Sequence, residues 1–253
     1  MFGKNKILKP EIHDGLRLDV QEIFPTLQGE GPYVGHPSVF IRLGGCNLAC
    51  SFCDTEFESY KNFSLEEILS EVQKLAKNSA GENVKKLVVI TGGEPLRQPI
   101  ERLCEELVKL GFLVQIETNG TLYRKLPKEV KIICSPKICI PHRSASARAH
   151  SPLNKREYAE HDYAEEVVGK YYPIRPDLLQ RIDAFKFIIS KTNKNYSDVA
   201  DVGQGQLDIP VYVQPMDEYD EEKNQANLEY ALELCEERGY LLSLQVHKIL
   251  AIK

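Results

Sequence analysis

Residues 44–55 read Gly-Gly-Cys-Asn-Leu-Ala-Cys-Ser-Phe-Cys-Asp-Thr, a stretch that places Cys46, Cys50 and Cys53 within eight residues. A four-iron cluster is normally held by four thiolates, one for each iron. Three thiolates leave one iron with an open coordination position, where a cofactor or substrate can bind. The same difference separates closed structural zinc sites from open catalytic ones. The loop therefore predicts chemistry at a [4Fe–4S] cluster.

Structural zinc is the main alternative for this loop. A tetrahedral zinc site needs a fourth ligand, which usually comes from a second pair of ligands at short spacing. The sequence has no such pair near the three cysteines, and His36 precedes a predicted strand that separates it from the loop. A non-catalytic iron–sulfur or zinc module remains the alternative from another functional class.

The length of 253 residues suits one α/β domain of barrel type or two small domains. We predict a single domain over residues 1–253, with an insertion at about 138–181. Hydrophobic residues make up 42% of the 253 residues, which is enough for a sizeable core. The net charge is −5, and the sequence shows neither a basic stripe for nucleic acid nor an apolar run for a membrane or a signal peptide. Seven cysteines are an odd number, and three crowd into one loop, so we expect a reducing, cytoplasmic setting rather than a disulfide framework.

From residue 38 onward, strand-like and helix-like segments alternate. Ser64 and Glu67 form a capping-box signature that predicts the start of a helix. Repeated strand-then-helix units imply a mostly parallel sheet with right-handed crossovers, and about seven strands favour an incomplete or splayed (β/α) barrel over a closed one. The predicted strands span 38–43, 87–90, 113–117, 130–134, 184–189, 209–213 and 241–245, and the predicted helices span 64–77, 99–111 and 221–238.

The segment 138–181 does not follow this alternation. It contains several prolines and mixed charge, with a patchy helical signal only at 157–168. Its three histidines, His142, His150 and His161, have the irregular spacing of surface residues. A segment of this length without clear elements is usually functional or mobile, and the sequence leaves its role open.

Polar or glycine-containing motifs follow six of the seven predicted strands. Active sites of barrels and open α/β sheets lie at the carboxyl ends of the strands, so these loops predict one shared site. After the cysteine loop, the motifs are Thr91-Gly92-Gly93-Glu94-Pro95, Glu117-Thr118-Asn119-Gly120, Ser135-Pro136-Lys137, Gln214-Pro215-Met216 and Gln245-Val246-His247-Lys248.

With this cysteine spacing and these motifs, the sequence resembles the radical S-adenosylmethionine (SAM) superfamily. The resemblance implies an incomplete, modified (β/α) barrel in which the methionine part of SAM chelates the open iron of a [4Fe–4S] cluster. An electron then cleaves SAM to methionine and a 5′-deoxyadenosyl radical. A flavodoxin- or ferredoxin-type electron donor is the expected partner.

The resemblance also implies a set of SAM-binding residues. Two glycines let the backbone approach a ligand closely, and Glu94 would accept hydrogen bonds from the SAM ammonium group. The alternative for this motif is a tight turn with Pro95 opening a helix, and each of the other residues is individually common in solvated loops. The implied residues are Phe52, Gly93, Glu94, Asn119, Ser135, Pro136, Lys137, Gln214 and Met216.

Within the superfamily, the sequence is most similar to the 7-carboxy-7-deazaguanine synthase family. The similarity includes Phe24–Gly31 (FPTLQGEG), Val39–Leu43 (VFIRL) and the order of all the motifs above, from about Gln21 to the C-terminus except the insertion. Phe52 departs from the family pattern, in which tryptophan is frequent. The similarity implies rearrangement of 6-carboxytetrahydropterin to 7-carboxy-7-deazaguanine with loss of ammonia, in 7-deazapurine (queuosine) biosynthesis, by a homodimer.

A pterin substrate offers a hydrogen-bonding aminopyrimidinone edge and one carboxylate. Glu30 and the Gln28 amide suit the edge, and Arg42 suits bidentate pairing with the carboxylate, although a surface salt bridge is the commoner fate of an arginine. The implied substrate residues are Leu27, Gln28, Gly29, Glu30, Arg42 and Thr91.

The family resemblance further implies Mg²⁺ beside the substrate carboxylate, with Thr55 as its protein ligand and Asp54 as a neighbour. A hydroxyl, substrate oxygens and waters suit this ion. An Asp-Thr pair that caps the following element is the alternative.

One alternative enzyme function stays open. An activating enzyme that makes a glycyl radical on a partner protein shares the cysteine spacing and the compact size.

Cys104 and Cys235 lie in predicted helices and are interpreted as ordinary buried cysteines.

Overall fold

In the computed structural model, which describes residues 4–53, 55–139 and 171–253, nine strands form one open sheet. The strand order is β3-β1-β2-β4-β5-β6-β7-β8-β9, so β3 and β9 are its free edges. β1 is antiparallel to β2 and β3, and every other pairing is parallel. The prediction of an open, mostly parallel α/β architecture is confirmed. The strands are β1 (Arg17–Leu27), β2 (Pro37–Leu43), β3 (Lys61–Ser64), β4 (Leu87–Gly92), β5 (Leu113–Thr118), β6 (Lys131–Cys134), β7 (Ala184–Ile189), β8 (Val211–Pro215) and β9 (Leu241–Leu242).

Helices follow several of these strands. Ser64 caps the first helix: its hydroxyl accepts from the Glu67 backbone N–H, and the Glu67 side chain accepts from the Ser64 N–H, as the sequence predicts. The long helix predicted at 221–238 is present with those bounds. The helices are α1 (Leu65–Leu75), α2 (Glu101–Lys109), α3 (Pro176–Leu179), α4 (Gln204–Leu207), α5 (Glu221–Arg238) and α6 (Val246–Ile249).

The sequence analysis missed β1 and β3. β1 carries polar residues between its buried positions, contains Pro25, and has a register shift between Val20 and Glu22. These features break the strict alternation by which a strand is predicted. The two strands extend the parallel sheet on one side and bring the 28–31 loop beside the ends of the other strands.

Some predicted bounds were wrong. α2 begins at Glu101 rather than Pro99, and β8 begins at Val211 rather than residue 209. The strand predicted at 241–245 has only two residues, β9. After it the chain leaves the sheet, because the Val246 N–H donates to the Gly29 carbonyl oxygen at 3.0 Å.

Alternation along the strands separates an apolar outer face from a polar inner face. On β7, Phe185 and Phe187 lie in the main core, whereas Lys186 between them lines an interior cavity. On β5, Val114 and Ile116 lie in the core, and the residues that alternate with them are Gln115 and Glu117. Successive side chains of a strand point to opposite faces. The apolar side chains therefore share the outer face, which packs in the core, and the polar side chains share the inner face.

The ends of the predicted insertion are paired. Ile138 forms an antiparallel bridge with Tyr171, and the Tyr172 N–H donates to the Lys137 carbonyl oxygen at 2.8 Å. Residues 171–181 then pack onto the domain, with Leu178 fully buried. The predicted helical signal at 157–168 and the three histidines His142, His150 and His161 lie outside the described residues.

No helix among the described residues combines the length and the apolar character that crossing a membrane requires.

The Ser64 cap gives a stability prediction. Replacing Ser64 with Ala removes the hydroxyl that accepts from the Glu67 N–H, so the free energy of unfolding should fall by about 1 kcal/mol. Urea unfolding measures this change. Ser70→Ala, the same substitution at an exposed position inside α1, is the matched control and should leave stability equal or slightly higher. Equal losses for both variants would contradict the assigned cap.

Candidate active site

A cavity of about 540 Å³ lies inside the sheet at the carboxyl ends of the strands. It is lined by the cysteine loop, by the ends of β2, β4, β5, β7 and β8, and by the 26–30 and 245–248 segments. All but two of the site residues predicted from the sequence line it. These are Leu27, Gln28, Gly29, Glu30, Arg42, Cys46, Cys50, Phe52, Cys53, Thr55, Thr91, Gly93, Asn119, Ser135, Lys137, Gln214 and Met216.

Hydrogen bonds to its backbone carbonyl oxygens hold the cysteine loop in place. The Leu8 backbone N–H donates to the Cys46 carbonyl oxygen at 2.8 Å, and the Asn5 side-chain amide donates to the Leu48 carbonyl oxygen at 2.8 Å. An N-terminal segment that the sequence analysis did not assign to the site thus crosses the back of the loop.

The three thiols of the cysteine loop lie at the cavity. Cys46, Cys50 and Cys53 all border it and pack with Leu48 and Phe57. Among the described residues, no group of three or more histidine, cysteine, aspartate or glutamate side chains is arranged to hold a metal ion. Burial raises the pKa of the Cys46 and Cys50 thiols, so iron binding, which supplies positive charge, has to displace their protons.

The Gly92–Gly93 turn packs backbone against backbone. A Cβ on Gly93 would lie 1.9 Å from the Gly45 carbonyl oxygen, and one on Gly92 would lie 2.2 Å from the Leu43 carbonyl oxygen. The Glu94 N–H donates to the same Gly45 oxygen at 3.0 Å. The close approach that these glycines permit is therefore to the cysteine loop, in addition to any approach to a ligand.

Glu94 and Pro136 are the two predicted residues that do not line the cavity. The Glu94 carboxylate is fully buried and accepts from the Thr118 hydroxyl at 2.7 Å, the Asn119 N–H at 2.8 Å and the Leu96 N–H at 3.0 Å. Burial raises its pKa despite these bonds. In this arrangement Glu94 joins the β4 loop to the end of β5 from behind the cavity wall. Its predicted role in binding SAM stays a prediction, as does that of Pro136.

An amide network connects the end of β5 to the cysteine loop. The Asn119 amide donates to the Asn47 side-chain oxygen at 2.9 Å, and the Asn47 amide donates to the Thr121 hydroxyl at 2.8 Å. Asn119 thus has a structural role as well as a place on the cavity wall.

Lys137 supplies a positive charge beside the cysteine loop. Its ammonium group donates to the Ser135 hydroxyl at 2.6 Å and lies 5.6 Å from the centre of the Phe52 ring. The Phe52 ring in turn packs edge-on against Tyr196. This arrangement holds a cation where a carboxylate ligand near the cluster would meet it.

The cavity wall also contains a buried acid–base group, of which only Glu30 was predicted as a site residue. Lys186 on β7 forms salt bridges with Glu30 and with Glu117, the latter at 3.0 Å, and only 7% of its side chain is exposed. Burial alone would raise the pKa of Glu30, but the charge and hydrogen bond of Lys186 and a bond from Gln245 lower it to about 2. The alternation of β5 and β7 contained a signal for this group, since Glu117 and Lys186 both fall on the inner face.

Arg42 lies between these two regions. It pairs in register with Thr91 on β4, forms a salt bridge with Glu22, and stacks 5.3 Å from the centre of the Phe24 ring. Its Nε atom is buried with no hydrogen-bond partner among the described residues. The salt-bridge alternative is thus present in the structure, and Arg42 also lines the cavity.

The C-terminal segment completes the wall. His247 and Lys248 line the cavity, and a Cβ on Gly29 would lie 2.5 Å from His247 Nδ1. These side chains belong to a motif that the sequence analysis noted without assigning site residues to it. Other lining residues that it missed are Phe24, Thr26, Phe40, Glu56, Phe57, Ile188, Asp217 and Lys253.

Comparisons with known proteins agree with this site. The model of the radical SAM superfamily matches residues 40–161. A 7-carboxy-7-deazaguanine synthase of Rickettsia prowazekii is 51% identical over 100% of this chain and 96% of its own length, and one of Rhodospirillum rubrum is 37% identical over the full length of both. The crystal structure of QueE from Escherichia coli has the same fold, with a TM-score of 0.65 and 24% identity over 92% of this chain and 95% of that one. This chain therefore belongs to the 7-carboxy-7-deazaguanine synthase family of radical SAM proteins.

Proposed function

We propose that this chain rearranges 6-carboxytetrahydropterin to 7-carboxy-7-deazaguanine with loss of ammonia, as a step in 7-deazapurine (queuosine) biosynthesis. One observation carries the proposal most directly. A single cavity holds the three-thiol loop on one wall and, facing it, groups complementary to a carboxylated pterin. The names of the Rickettsia prowazekii and Rhodospirillum rubrum relatives support the same reaction.

The cysteine loop and its surroundings fit a [4Fe–4S] cluster with SAM. Cys46, Cys50 and Cys53 would hold three irons. Lys137 and Ser135 would bind polar groups of SAM, and the other residues proposed to bind it are Phe52, Gly93, Glu94, Asn119, Pro136, Gln214 and Met216. When bound, the cluster and SAM supply the one-electron chemistry that removes a hydrogen atom from C6 of the substrate. The protein's part is to hold both ligands in register and to exclude water.

Two wall regions would orient the pterin. Arg42 lines the cavity next to Thr91, and its guanidinium group would pair with the substrate carboxylate. Glu30, Gln28 and the backbone of Leu27 and Gly29 line the same cavity and would bind the aminopyrimidinone edge. A cation and an anion on the wall of one cavity suit a ligand that carries both a carboxylate and hydrogen-bond donors.

Magnesium is part of the proposal. Thr55 is half-buried on the cavity wall next to Cys53. Its hydroxyl would bind Mg²⁺ together with substrate oxygens and waters, which suits an ion that retains much of its hydration. The ion would hold the substrate carboxylate during ring contraction.

The remaining parts of the proposal concern partners and organisation. All seven cysteines are free thiols, which supports a reducing, cytoplasmic setting. We also infer a single radical SAM domain with an insertion near 138–181, a homodimer, and a flavodoxin- or ferredoxin-type electron donor, with no nucleic-acid or membrane partner. The resemblance to the family supports these assignments.

Product formation tests the function. Anaerobically reconstituted protein, incubated with reductant, SAM, Mg²⁺ and 6-carboxytetrahydropterin, should yield a deazapurine of the mass of 7-carboxy-7-deazaguanine and release ammonia. Cys50→Ala should give no detectable product, because one cluster ligand is lost. Cys104→Ala is the matched control, since Cys104 is buried in α2 away from the cavity, and it should retain product formation. Absence of product, with formation of a radical on a glycine of a partner protein, would favour the activating-enzyme alternative.

Thr55 gives a separate prediction for magnesium. Thr55→Ala removes the proposed ligand, so the stimulation of turnover by added Mg²⁺ should be lost, whereas Thr55→Ser keeps a hydroxyl and should keep the stimulation. Initial rates over a Mg²⁺ titration measure both variants. A Thr55→Ala enzyme with the wild-type Mg²⁺ dependence would remove Thr55 from the metal site.

A further inference from the structure

We propose that Lys186 is a positioning residue that sets the substrate selectivity of the site, by holding Glu30 as an ionised carboxylate that only accepts hydrogen bonds. The ligand edge selected in this way is one that presents two adjacent donors, as a 2-amino-4-oxopyrimidine ring does. The inference rests on the proposed function, because it assigns Glu30 to the pterin ring.

Lys186 is bonded to Glu30 and is shielded from bulk solvent. It is the charged residue of β7, on the inner face of that strand, and only 7% of its side chain is exposed. Its ammonium group donates to Glu30 Oε2 from one side and to Glu117 Oε2 from the other at 3.0 Å. A lysine ammonium has three donors and no acceptor, so two of its donors are used to bind the two carboxylates.

The second oxygen of Glu30 is also fixed. Gln245, in the C-terminal segment, donates its amide to Glu30 Oε1 at 2.9 Å. Each oxygen of a carboxylate has two lone-pair sites, so each Glu30 oxygen keeps one acceptor position after these bonds. Glu30 lines the cavity, and its two remaining acceptor positions match two parallel donors on a ligand.

Glu117 holds the lysine rather than the ligand. Its other oxygen accepts from the Gln115 amide at 2.6 Å and faces the Gln28 amide at 3.4 Å. Burial alone lowers the pKa of Lys186, but the two carboxylates raise it. Lys186 therefore stays charged in a buried position and remains paired with Glu30, in a group formed by β5, β7, the 28–31 loop and the C-terminal segment.

Removing Lys186 would leave the Glu30 and Glu117 carboxylates without the ammonium group that they share. Two carboxylates at such a site do not both stay ionised, since a like charge raises the pKa of its neighbour. A proton shared by the pair would convert one acceptor into a donor. The site would then lose its preference for a donor–donor edge, because buried polar groups that do not match are costly to leave unpaired.

Pterins and lumazines separate this effect from loss of function. Pterin-6-carboxylate presents the 2-amino group beside the N3–H, whereas lumazine-6-carboxylate presents a carbonyl oxygen at the same place. Titration calorimetry with the cluster-reconstituted protein should show that the wild type binds the pterin at least about a hundredfold more tightly. In Lys186→Met the preference should fall by about tenfold or more. Lys131→Met, which removes a lysine–aspartate pair on the neighbouring strand outside the cavity, should keep the wild-type ratio.

Two further measurements distinguish positioning from a general structural effect. The infrared spectrum of Lys186→Met should contain the band of a protonated carboxyl group that the wild type lacks. The double variant Lys186→Met/Glu117→Gln, which removes the competing carboxylate as well, should lose this band and recover part of the preference for the pterin.

The outcomes are distinct. A wild-type protein that binds the two ligands equally would overturn the inference without any variant, even if Lys186→Met fails to fold. A Lys186→Met protein with the wild-type ratio and no new carboxyl band would overturn it while leaving the proposed function standing. A wild-type protein that binds neither ligand would remove the proposed function itself.

Discussion

The contact between the cysteine loop and the Gly92–Gly93 turn is the constraint on which the rest of the site depends. The Gly45 carbonyl oxygen accepts the Glu94 N–H, and only a residue without a Cβ can occupy position 93, since a Cβ there would lie 1.9 Å from that oxygen. Because β2 and β4 are parallel neighbours, the loops that leave them meet at the same edge of the sheet. The cysteines are therefore positioned by the sheet rather than by their own loop alone.

The second requirement is a polar interior. Where helices cover the outer face of an α/β sheet, its inner face is covered by side chains or by a ligand. In this protein that face contains Gln115, Glu117, Lys186 and Gln214, all buried or nearly so. Buried charges are stabilised only when they are paired, and the Glu30–Lys186–Glu117 group satisfies this condition across three separate segments. The same pairing leaves acceptor positions open towards the cavity, so the group that stabilises the interior is also suited to recognise a ligand.

Much of this architecture was predictable from local pattern. The cysteine spacing, the capping box at Ser64 and the polar strand ends each have a local physical cause, and the predicted α1 start, α5, β4 and β7 are present in the structure. β1 and β3 were missed because their burial depends on antiparallel pairing with distant residues, which the polar residues and Pro25 in β1 do not reveal. β9 was predicted too long because the C-terminal segment bonds to Gly29, more than two hundred residues away in sequence.

The candidate site was predictable where a single sequence motif forms part of the cavity wall. It was less predictable where side chains distant in sequence contact one another. Glu94 was assigned to a ligand because its motif follows a strand, and the structure adds a role that the motif does not reveal, since three donors of the protein surround its carboxylate. Lys186 was not assigned because it belongs to no motif, although its place between Phe185 and Phe187 marks it as a charged residue on an inner face. A strict reading of alternation on every strand would have found it.

The proposed function requires that one iron of the cluster is open to SAM. Electron paramagnetic resonance of the reduced, reconstituted protein, recorded with and without SAM, is the most direct test of this requirement. We predict that SAM changes the spectrum of the [4Fe–4S] cluster, because its methionine part binds the iron that no cysteine holds. A spectrum that is the same in both samples, at SAM concentrations well above those that similar enzymes need, would contradict it.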